Sequence, residues 1–226
     1  MAENIMENKK ITALVPVKGD SERVPKKNLR PFCNTTLYEL KLEQLQSVKS
    51  FENIIISSEN EEVLNIAIER GFDVHYRDAF YSTSDVPMSD VYSYVASEIP
   101  GENIAWVNIT NPLVTADIYD HAVETFSRLP KKYDCLLSAY ELKEYVFYKD
   151  KPVNFKPYPH PKSQDLAGMV ALSFAINILK RDDMIRWGSA IGSNPYFYKI
   201  DNVVSTDIDY TSDFKFCEMI YKEWNE

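Results

Sequence analysis

Residues 53–76 read NIIISSENEEVLNIAIERGFDVHY, and this stretch decides the fold. The run at 53–57 is short, apolar and rich in isoleucine, as expected of a buried strand. A helix is predicted at 61–70, because apolar residues recur there at helical spacing and Gly71 stands where helices commonly end. A second apolar run at 72–76 predicts another strand. This order predicts two parallel strands joined by a helical crossover.

The same alternation continues along the chain. Further strands are predicted at 10–17, 104–109, 135–140, 169–179 and 196–200, and further helices at 36–48, 115–128, 181–187 and 211–224, with one more from about 90 to 99. Alternating strands and helices predict an α/β fold with a mostly parallel sheet covered on both faces. Such sheets bind ligands at the carboxyl ends of their strands, so the residues that follow strands are the first candidates for a site.

Composition limits the class of function. The chain has 226 residues and a formal net charge of −9, which argues against non-specific nucleic-acid binding. The three cysteines, Cys33, Cys135 and Cys217, lie far apart, which argues against a zinc site and indicates free thiols in a reducing compartment. The first residues are polar, unlike a signal peptide, and no apolar run approaches the ~18 residues of a membrane span. We therefore expect a cytoplasmic protein that binds neither nucleic acid nor membrane.

Residues 144–164 interrupt the alternation. Four prolines and several aromatic side chains stand in this stretch without a clear helical pattern. We interpret it as an insertion in the form of a hairpin or an arm.

The loop after the first strand concentrates positive charge. Residues 15–32 read VPVKGDSERVPKKNLRPF, with basic side chains at Lys18, Arg23, Lys26, Lys27 and Arg30. Backbone amides near 19–21 and the basic side chains are suited to phosphate oxygens, although a solvated basic loop is the alternative. The loop has neither the GxGxxG pattern of dinucleotide-binding proteins nor a Walker A motif.

Two carboxylates close to the last helix form a candidate metal site. Asp207 and Asp209 are two residues apart, so in an extended segment they point to the same side. Mg²⁺ usually takes one or two protein carboxylates together with phosphate oxygens and water. The alternative is that they serve the start of the last helix, a role that Asp213 fits better.

Polar side chains also follow the third and fourth strands. Arg77 comes directly after the third strand, and Ser89 stands near the start of a helix, where Ser89 or Asp90 could instead be its N-cap. Asn108 opens a polar stretch that runs to Leu113 after the fourth strand, and these side chains either contact a ligand or shape a turn.

Together these stretches resemble the acylneuraminate cytidylyltransferases, the CMP-N-acetylneuraminic acid synthetase family, from about residue 11 to 224. Ser21, Pro25, Lys27 and Asn28 match the opening motif of that family, in which these residue types contact CTP. The stretch from Arg77 to Asp90 resembles its second nucleotide region, 108–113 its Gln-Pro-Thr-Ser-Pro-Leu stretch, and 164–166 its Arg-Gln-Asp-Leu motif. Asp207 and Asp209 match its metal-binding Asp-x-Asp.

The chain departs from the family pattern at several positions. Lys18 replaces the first Arg of the opening motif, and Glu22 replaces its Lys, a charge for which Arg23 compensates in part. Asn108 replaces the Gln that contacts the sugar acid, and Ser173-Phe174 replaces an Asn-Gly pair. Most nucleotide and metal positions are kept, whereas several acceptor positions differ.

The resemblance implies a Rossmann-like three-layer nucleotidyltransferase fold, with a mostly parallel mixed sheet in a single domain, 1–226. It implies that residues 141–167 are a small dimerisation arm that reaches the partner's acceptor site, with Tyr145, Phe147, Tyr148 and Tyr158 suited to the interface. The residue roles that it implies are catalytic for Lys27, Arg23 and Asp209; nucleotide-binding for Lys18, Gly19, Ser21, Arg23, Lys27, Asn28, Arg77 and Ser89; acceptor-binding for Asn108, Gln164 and Lys162; and Mg²⁺-binding for Asp207 and Asp209.

The reaction that it implies is transfer of CMP from CTP to an acidic, sialic-acid-like sugar, with release of pyrophosphate. Three alternatives stay open from the sequence. The first keeps the fold but uses another nucleotide, such as GTP, or another acceptor. The second is a GT-A glycosyltransferase, in which the Asp-x-Asp normally lies nearer the middle of the chain. The third is a nucleotide-binding homologue without catalytic activity.

Overall fold

A computed structural model describes residues 9–19, 24–166 and 168–225. Its main sheet has seven strands: β1 (Ile11–Pro16), β4 (Asn53–Ser58), β5 (Asp73–Tyr76), β6 (Asn103–Trp106), β7 (Cys135–Glu141), β10 (Val170–Lys180) and β11 (Pro195–Lys199). Two short hairpins contribute the strands β2 (Pro31–Phe32), β3 (Thr35–Thr36), β8 (Phe147–Tyr148) and β9 (Lys151–Pro152). The helices are α1 (Leu37–Gln46), α2 (Glu61–Glu69), α3 (Met88–Glu98), α4 (Ala116–Ser127), α5 (Arg181–Trp187) and α6 (Thr211–Asn225).

The strand order is β11-β7-β10-β6-β1-β4-β5. Each neighbouring pair is parallel except the two that involve β10, which runs antiparallel to both β6 and β7. The predicted mostly parallel mixed sheet is therefore confirmed.

The stretch that decides the fold forms the expected unit. Strand β4 pairs in parallel with β5, and α2 joins them. The Asn60 side chain caps α2 by accepting a hydrogen bond from the Val63 amide. Gly71 follows the helix with φ of +84°, a left-handed conformation that glycine adopts without steric cost.

Helices cover both faces of the sheet. Alternate residues of β1 point to opposite faces, Ala13 and Val15 to one and Leu14 to the other. Helices α1, α2 and α4 pack on the first face, and α3 and α5 pack on the second. The expected three layers are confirmed, and α6 packs in a smaller apolar cluster around Phe32, Ile208 and Phe214. No helix in the described part of the chain is long and apolar enough to span a membrane.

Several predicted boundaries are wrong by a few residues. Helix α3 begins at Met88 with Pro87 before it, so neither Ser89 nor Asp90 is its N-cap. Strand β6 ends at Trp106, three residues earlier than predicted, although Val107 and Ile109 stay buried in the core. The apolar pattern continues past the end of the strand because these residues are buried without being part of it.

Strand β10 contains an irregularity that the sequence does not reveal. Its register against β7 shifts between Leu172 and Asn177, and Phe174 in this bulge has φ of +54°. Bulky residues rarely adopt a left-handed conformation, which favours glycine. Phe174 is one of the two residues that replace the Asn-Gly pair of the family pattern, so the backbone keeps a shape that glycine would suit.

The insertion forms a hairpin, as predicted. Strands β8 and β9 pair antiparallel, and Tyr145 packs edge-on against Phe155 and stacks on His160. Strand β7 leads into it at the edge where the parallel strands β1, β4, β5 and β6 end.

Candidate active site

A cleft of about 400 Å³ opens at the carboxyl edge of the sheet. Parallel strands bring the residues that follow them to one edge, and Lys18, Arg77 and Asn108 line this cleft after β1, β5 and β6. The structure therefore brings together three predicted site residues that are up to 90 positions apart in sequence.

Three aromatic side chains contribute to the walls of the cleft. Trp106 packs edge-on against Tyr92, with ring centroids 4.5 Å apart, and both line the cleft. Tyr81 lines it as well and stacks on Tyr94 at 3.8 Å. The Trp106 indole donates a hydrogen bond of 3.0 Å to Asn108 Oδ1, which fixes the orientation of that amide. Aromatic faces with a few fixed polar groups are typical of small-molecule sites.

Arg77 lies at the base of the loop that follows β1. Its side chain is 2% exposed. Its Nη2 donates to the Val17 carbonyl at 2.7 Å and to Glu59 Oε2 at 2.8 Å, and its Nε donates to Ser82 Oγ at 2.9 Å. Arg77 thus lines the cleft while these two nitrogens are bonded to the protein.

Glu59 is the residue that sequence reasoning missed. It accepts hydrogen bonds from the Gly19 amide at 2.9 Å, from Arg77, and from Ser82 Oγ at 2.7 Å. Burial raises the pKa of its carboxyl, but the hydrogen bonds from Arg77, Gly19 and Ser82 outweigh burial, so the pKa lies below its usual value. The signal was present, because Glu59 directly follows β4 in the way that Arg77 follows β5.

Asn28 and Gly19 also make contacts within the protein at the loop after β1. Asn28 is 7% exposed, and its Nδ2 donates to the Lys18 carbonyl at 2.7 Å. A Cβ at Gly19 would lie 2.3 Å from Asn60 Nδ2, so only glycine fits there without movement. The predicted contacts of both residues with a nucleotide stay predictions, and the structure gives each a role inside the protein.

Lys27 connects the basic loop with the two candidate metal ligands. Its side-chain ammonium donates to the Ile208 carbonyl at 2.5 Å, and Lys27 is 9% exposed. Ile208 is buried, and Asp207 and Asp209 on either side of it are half-buried. The ammonium is therefore anchored between the two carboxylate residues, 181 positions away in the chain.

Asp213 stabilises the start of α6. Its Oδ2 accepts hydrogen bonds from the amides of Asp209 at 3.0 Å and Tyr210 at 2.7 Å. Asp213 thus holds the turn that precedes the helix, as predicted.

The donor set at 207–209 fits a magnesium ion. Carboxylate oxygens are the ligands that Mg²⁺ prefers, and the ion normally keeps several sites for phosphate oxygens and water. No group of three His, Cys, Asp or Glu side chains that could hold a metal occurs within the described residues. Any magnesium at Asp207 and Asp209 would therefore need oxygens from a substrate or from water.

A buried network ties this segment to the loop after β6. Asn111 Nδ2 lies within 3.3 Å of the carbonyl oxygens of Ser173, Ser205 and Thr206, and Asn111 is fully buried. Its own carbonyl accepts a hydrogen bond from Lys41, which is also fully buried. Asn111 therefore joins the β10 bulge to the residues just before Asp207.

The remaining predicted residues are not brought to the cleft. Ser89 lies against Gly188 and does not line the cleft, whereas its neighbour Met88 does. Lys162 and Gln164 are exposed and lie in the segment that follows the β8–β9 hairpin. Gln164 is in a short 3-10 helix. Ser21, Glu22 and Arg23 fall outside the described residues, so their roles stay predictions.

Known proteins resemble this chain in sequence and in fold. A family model described as cytidylyltransferase matches residues 12–158. The chain is similar to pseudaminic acid cytidylyltransferase of Campylobacter jejuni, with 24% identity over 92% of this chain and 95% of the relative. It is also similar to N-acylneuraminate cytidylyltransferase A of Danio rerio, with 23% identity over 92% of this chain and 50% of the relative.

The fold is similar to that of a solved CMP:2-keto-3-deoxy-manno-octonic acid synthetase in complex with CTP. The TM-score is 0.70 at 10% identity, and the likeness covers 96% of this chain and 100% of that structure. The family resemblance predicted from the sequence is thereby confirmed. Since the family match spans well over half of its residues, the chain belongs to the cytidylyltransferase family.

Proposed function

We propose that the protein transfers CMP from CTP to an acidic, sialic-acid-like nonulosonate and releases pyrophosphate. The hydroxyl oxygen of the acceptor attacks the α-phosphorus of CTP, and the bond from that phosphorus to the bridging oxygen breaks. Pyrophosphate leaves with the electron pair, and the hydroxyl proton passes to solvent. The observation that carries the proposal is the cleft, where Lys18 faces an aromatic wall in a chain that matches the cytidylyltransferase family model. The bond between Lys27 and the Asp-x-Asp segment supports it.

Two ammonium groups support the assignment of the triphosphate to the loop after β1. Lys18 lines the cleft, and Lys27 is anchored at the Asp-x-Asp segment. Phosphoryl-type transfers depend mainly on positioning and on stabilising charge, so these two ammonium groups supply what the reaction needs. We assign Lys18 and Lys27 to the phosphates together with Gly19, Ser21 and Arg23, and we assign Asn28 and Arg77 to nucleotide binding. Ser89 does not line the cleft and receives no role here.

Asp207 and Asp209 would hold Mg²⁺. When bound, the ion supplies charge neutralisation at the phosphate oxygens. The chain contributes the two half-buried carboxylates, and the Ile208 anchor keeps them beside the Lys27 ammonium. We assign the catalytic role to Arg23, Lys27 and Asp209.

The acceptor belongs beside Asn108. Its Oδ1 is fixed by Trp106, so the amide can orient a polar group of the sugar at the mouth of the cleft. An acidic acceptor also needs a cation, and Lys162 with Gln164 on the hairpin would supply it from a neighbouring subunit. The names of the relatives, which act on pseudaminic and N-acylneuraminic acids, support this class of acceptor.

We infer a homodimer formed through the hairpin. Phe147, Tyr148 and Tyr158 are 59%, 66% and 91% exposed in the single chain, and exposed aromatic side chains in one segment are typical of interfaces. Tyr145 is half-buried, and its hydroxyl donates to the Pro161 carbonyl at 2.7 Å. Its place in the interface stays a prediction.

We place the reaction in the cytoplasm. Cys33, Cys135 and Cys217 are all free thiols. Free thiols in this number are typical of a reducing compartment, which supports the proposal.

Pyrophosphate release tests the function. The protein is incubated with Mg²⁺, each of four nucleoside triphosphates and a panel of nonulosonic and deoxy-octulosonic acids. We expect release with CTP and a nonulosonic acid. Release only with GTP would contradict the choice of nucleotide, and release only with an octulosonic acid would contradict the class of acceptor. Absence of nucleotide binding would overturn the proposal as a whole.

A further inference from the structure

Three backbone groups of residues 17–19, directly after β1, are each held by a different side chain. The Val17 carbonyl accepts from Arg77 at 2.7 Å, the Lys18 carbonyl accepts from Asn28 at 2.7 Å, and the Gly19 amide donates to Glu59 at 2.9 Å. The three side chains come from three places in the sequence. The backbone groups that they hold belong to residues 17–19, so Lys18 lies at the centre of this segment.

The Lys18 side chain is not itself held. Lys18 is exposed and lines the cleft. Its ammonium has no hydrogen bond or ion pair with the residues that the structure describes. A fixed backbone with an unengaged charged group is the arrangement expected of a residue kept ready for a ligand.

We propose that Asn28, Glu59 and Arg77 form a clamp that positions Lys18 for the triphosphate, with Glu59 as its key positioning residue. The inference rests on the proposed function, because it assumes that Lys18 binds nucleotide. It assigns to Glu59 a role that the residue performs through Lys18 and not by touching substrate. It also gives Asn28 and Arg77 a role in nucleotide binding that needs no direct contact.

Glu59 is the key member because it connects the other parts. Its carboxylate accepts from the Gly19 amide, from the buried Arg77 guanidinium and from Ser82 in the segment that borders the cleft. A buried charge is stable only when it is paired, so Arg77 depends on Glu59 to keep its own hold on Val17. Loss of the Glu59 charge would therefore release the backbone on both sides of Lys18.

Packing reinforces the clamp at Gly19. The Asn60 side chain occupies the space that a Cβ would need, 2.3 Å from that position. Asn60 also caps α2. Gly19 thus packs closely against the start of α2.

A double-mutant cycle tests the proposal. CTP affinity is measured by calorimetry in the presence of Mg²⁺ for wild type, Lys18→Ala, Glu59→Gln and the double variant, with thermal unfolding as a check of folding. We expect each single variant to bind CTP about tenfold more weakly or worse, the scale of a charge-assisted hydrogen bond. We expect the double variant to bind no more weakly than Lys18→Ala alone.

Two further variants keep the test decisive. Glu61→Gln removes the same charge from an exposed position two residues away and should leave CTP affinity unchanged. Glu59→Asp keeps the charge for Arg77, so it should fold even if Glu59→Gln does not. Its shorter side chain should weaken the contact with Gly19, and its loss of CTP affinity should vanish in the Lys18→Ala background.

The possible outcomes distinguish failure of the clamp proposal from failure of the proposed function. Equal losses from a Glu59 variant with and without Lys18 would overturn the clamp, because Glu59 would then act independently of Lys18. Unchanged affinity in folded Glu59→Gln would overturn it as well. Failure of the wild-type protein to bind CTP would instead overturn the proposed function.

Discussion

At the scale of single residues, Lys41 is the most unusual group outside the cleft. Its ammonium donates to the Asn111 carbonyl at 2.9 Å and to the Tyr119 hydroxyl at 2.8 Å, and neither partner is a carboxylate. Complete burial lowers the pKa of Lys41 to about 7. Above about pH 7 the side chain is mainly a neutral amine that can still make both hydrogen bonds, so it then connects α1 with the loop after β6 without a buried charge.

The pKa of Lys41 predicts how stability depends on pH. Between about pH 7 and its usual pKa of 10.5, the unfolded chain binds more protons at this residue than the folded chain. The free energy of unfolding therefore rises with pH across this window. In Lys41→Met this contribution is absent, so urea denaturation at pH 7 and at pH 9.5 should show a smaller increase than in wild type.

The matched control for Lys41→Met is Lys49→Met, at an exposed position near the end of the same helix. It should keep the wild-type increase. An equal increase in Lys41→Met and wild type would show that the buried amine does not titrate in this range.

Asp209 carries the second prediction at this scale. Asp209→Asn removes one of the two carboxylates proposed for Mg²⁺, while Asp213 can still hold the preceding turn. A metal ion contributes several kcal/mol to stabilising a charged transition state, so the Mg²⁺-dependent rate should fall about 100-fold or more. Steady-state pyrophosphate release measures it, and Asp182→Asn on the exposed start of α5 is the control. A near-normal rate in Asp209→Asn would show that the metal assignment is wrong.

At the scale of elements, helix α1 tests how local sequence determines structure. The Thr36 side chain accepts a hydrogen bond from the Glu39 amide at 3.1 Å, as an N-cap. Thr36→Ala should lower the free energy of unfolding by about 1 kcal/mol. Urea denaturation measures this, and Thr35→Ala is the control, because Thr35 makes only a 3.5 Å contact with Glu39. Equal losses in the two variants would contradict the capping role.

The elements themselves could be predicted from the sequence to within a few residues. Strand β4, helix α2 and strand β5 follow from short apolar runs and a glycine, because those signals are local. The β10 bulge could not be predicted, because glycine is the residue that usually marks a positive φ and Phe174 stands there instead. Tertiary hydrogen bonds hold the bulge, including those from Ser173 and Ile176 to Ser138.

The site was predictable in position but not in detail. Lys18, Arg77 and Asn108 were correctly placed at the carboxyl edge, because topology alone brings them there. That Arg77 is paired with Glu59 could not be known, since the pairing depends on how two loops pack.

At the scale of the whole molecule, the hairpin predicts the oligomeric state. It leaves the sheet at the edge that carries the cleft, and Tyr148 on it is 66% exposed. Tyr148→Asp should convert a dimer to a monomer in sedimentation velocity and should impair turnover more than CTP binding. Tyr76→Asp is a matched control, because Tyr76 is 65% exposed on β5 at the far end of the sheet. A wild-type monomer at micromolar concentration would contradict the dimer.

In the proposed reaction CMP, and not phosphate or a sugar, is the group transferred. Phosphorus NMR of the reaction with CTP, Mg²⁺ and a nonulosonic acid follows all three phosphorus atoms at once. We expect the CTP signals to be replaced by one phosphodiester, in which the α-phosphorus is joined to the sugar, and by pyrophosphate in equal amount. CTP signals that stay unchanged, or that give CMP or CDP without a sugar phosphodiester, would contradict it.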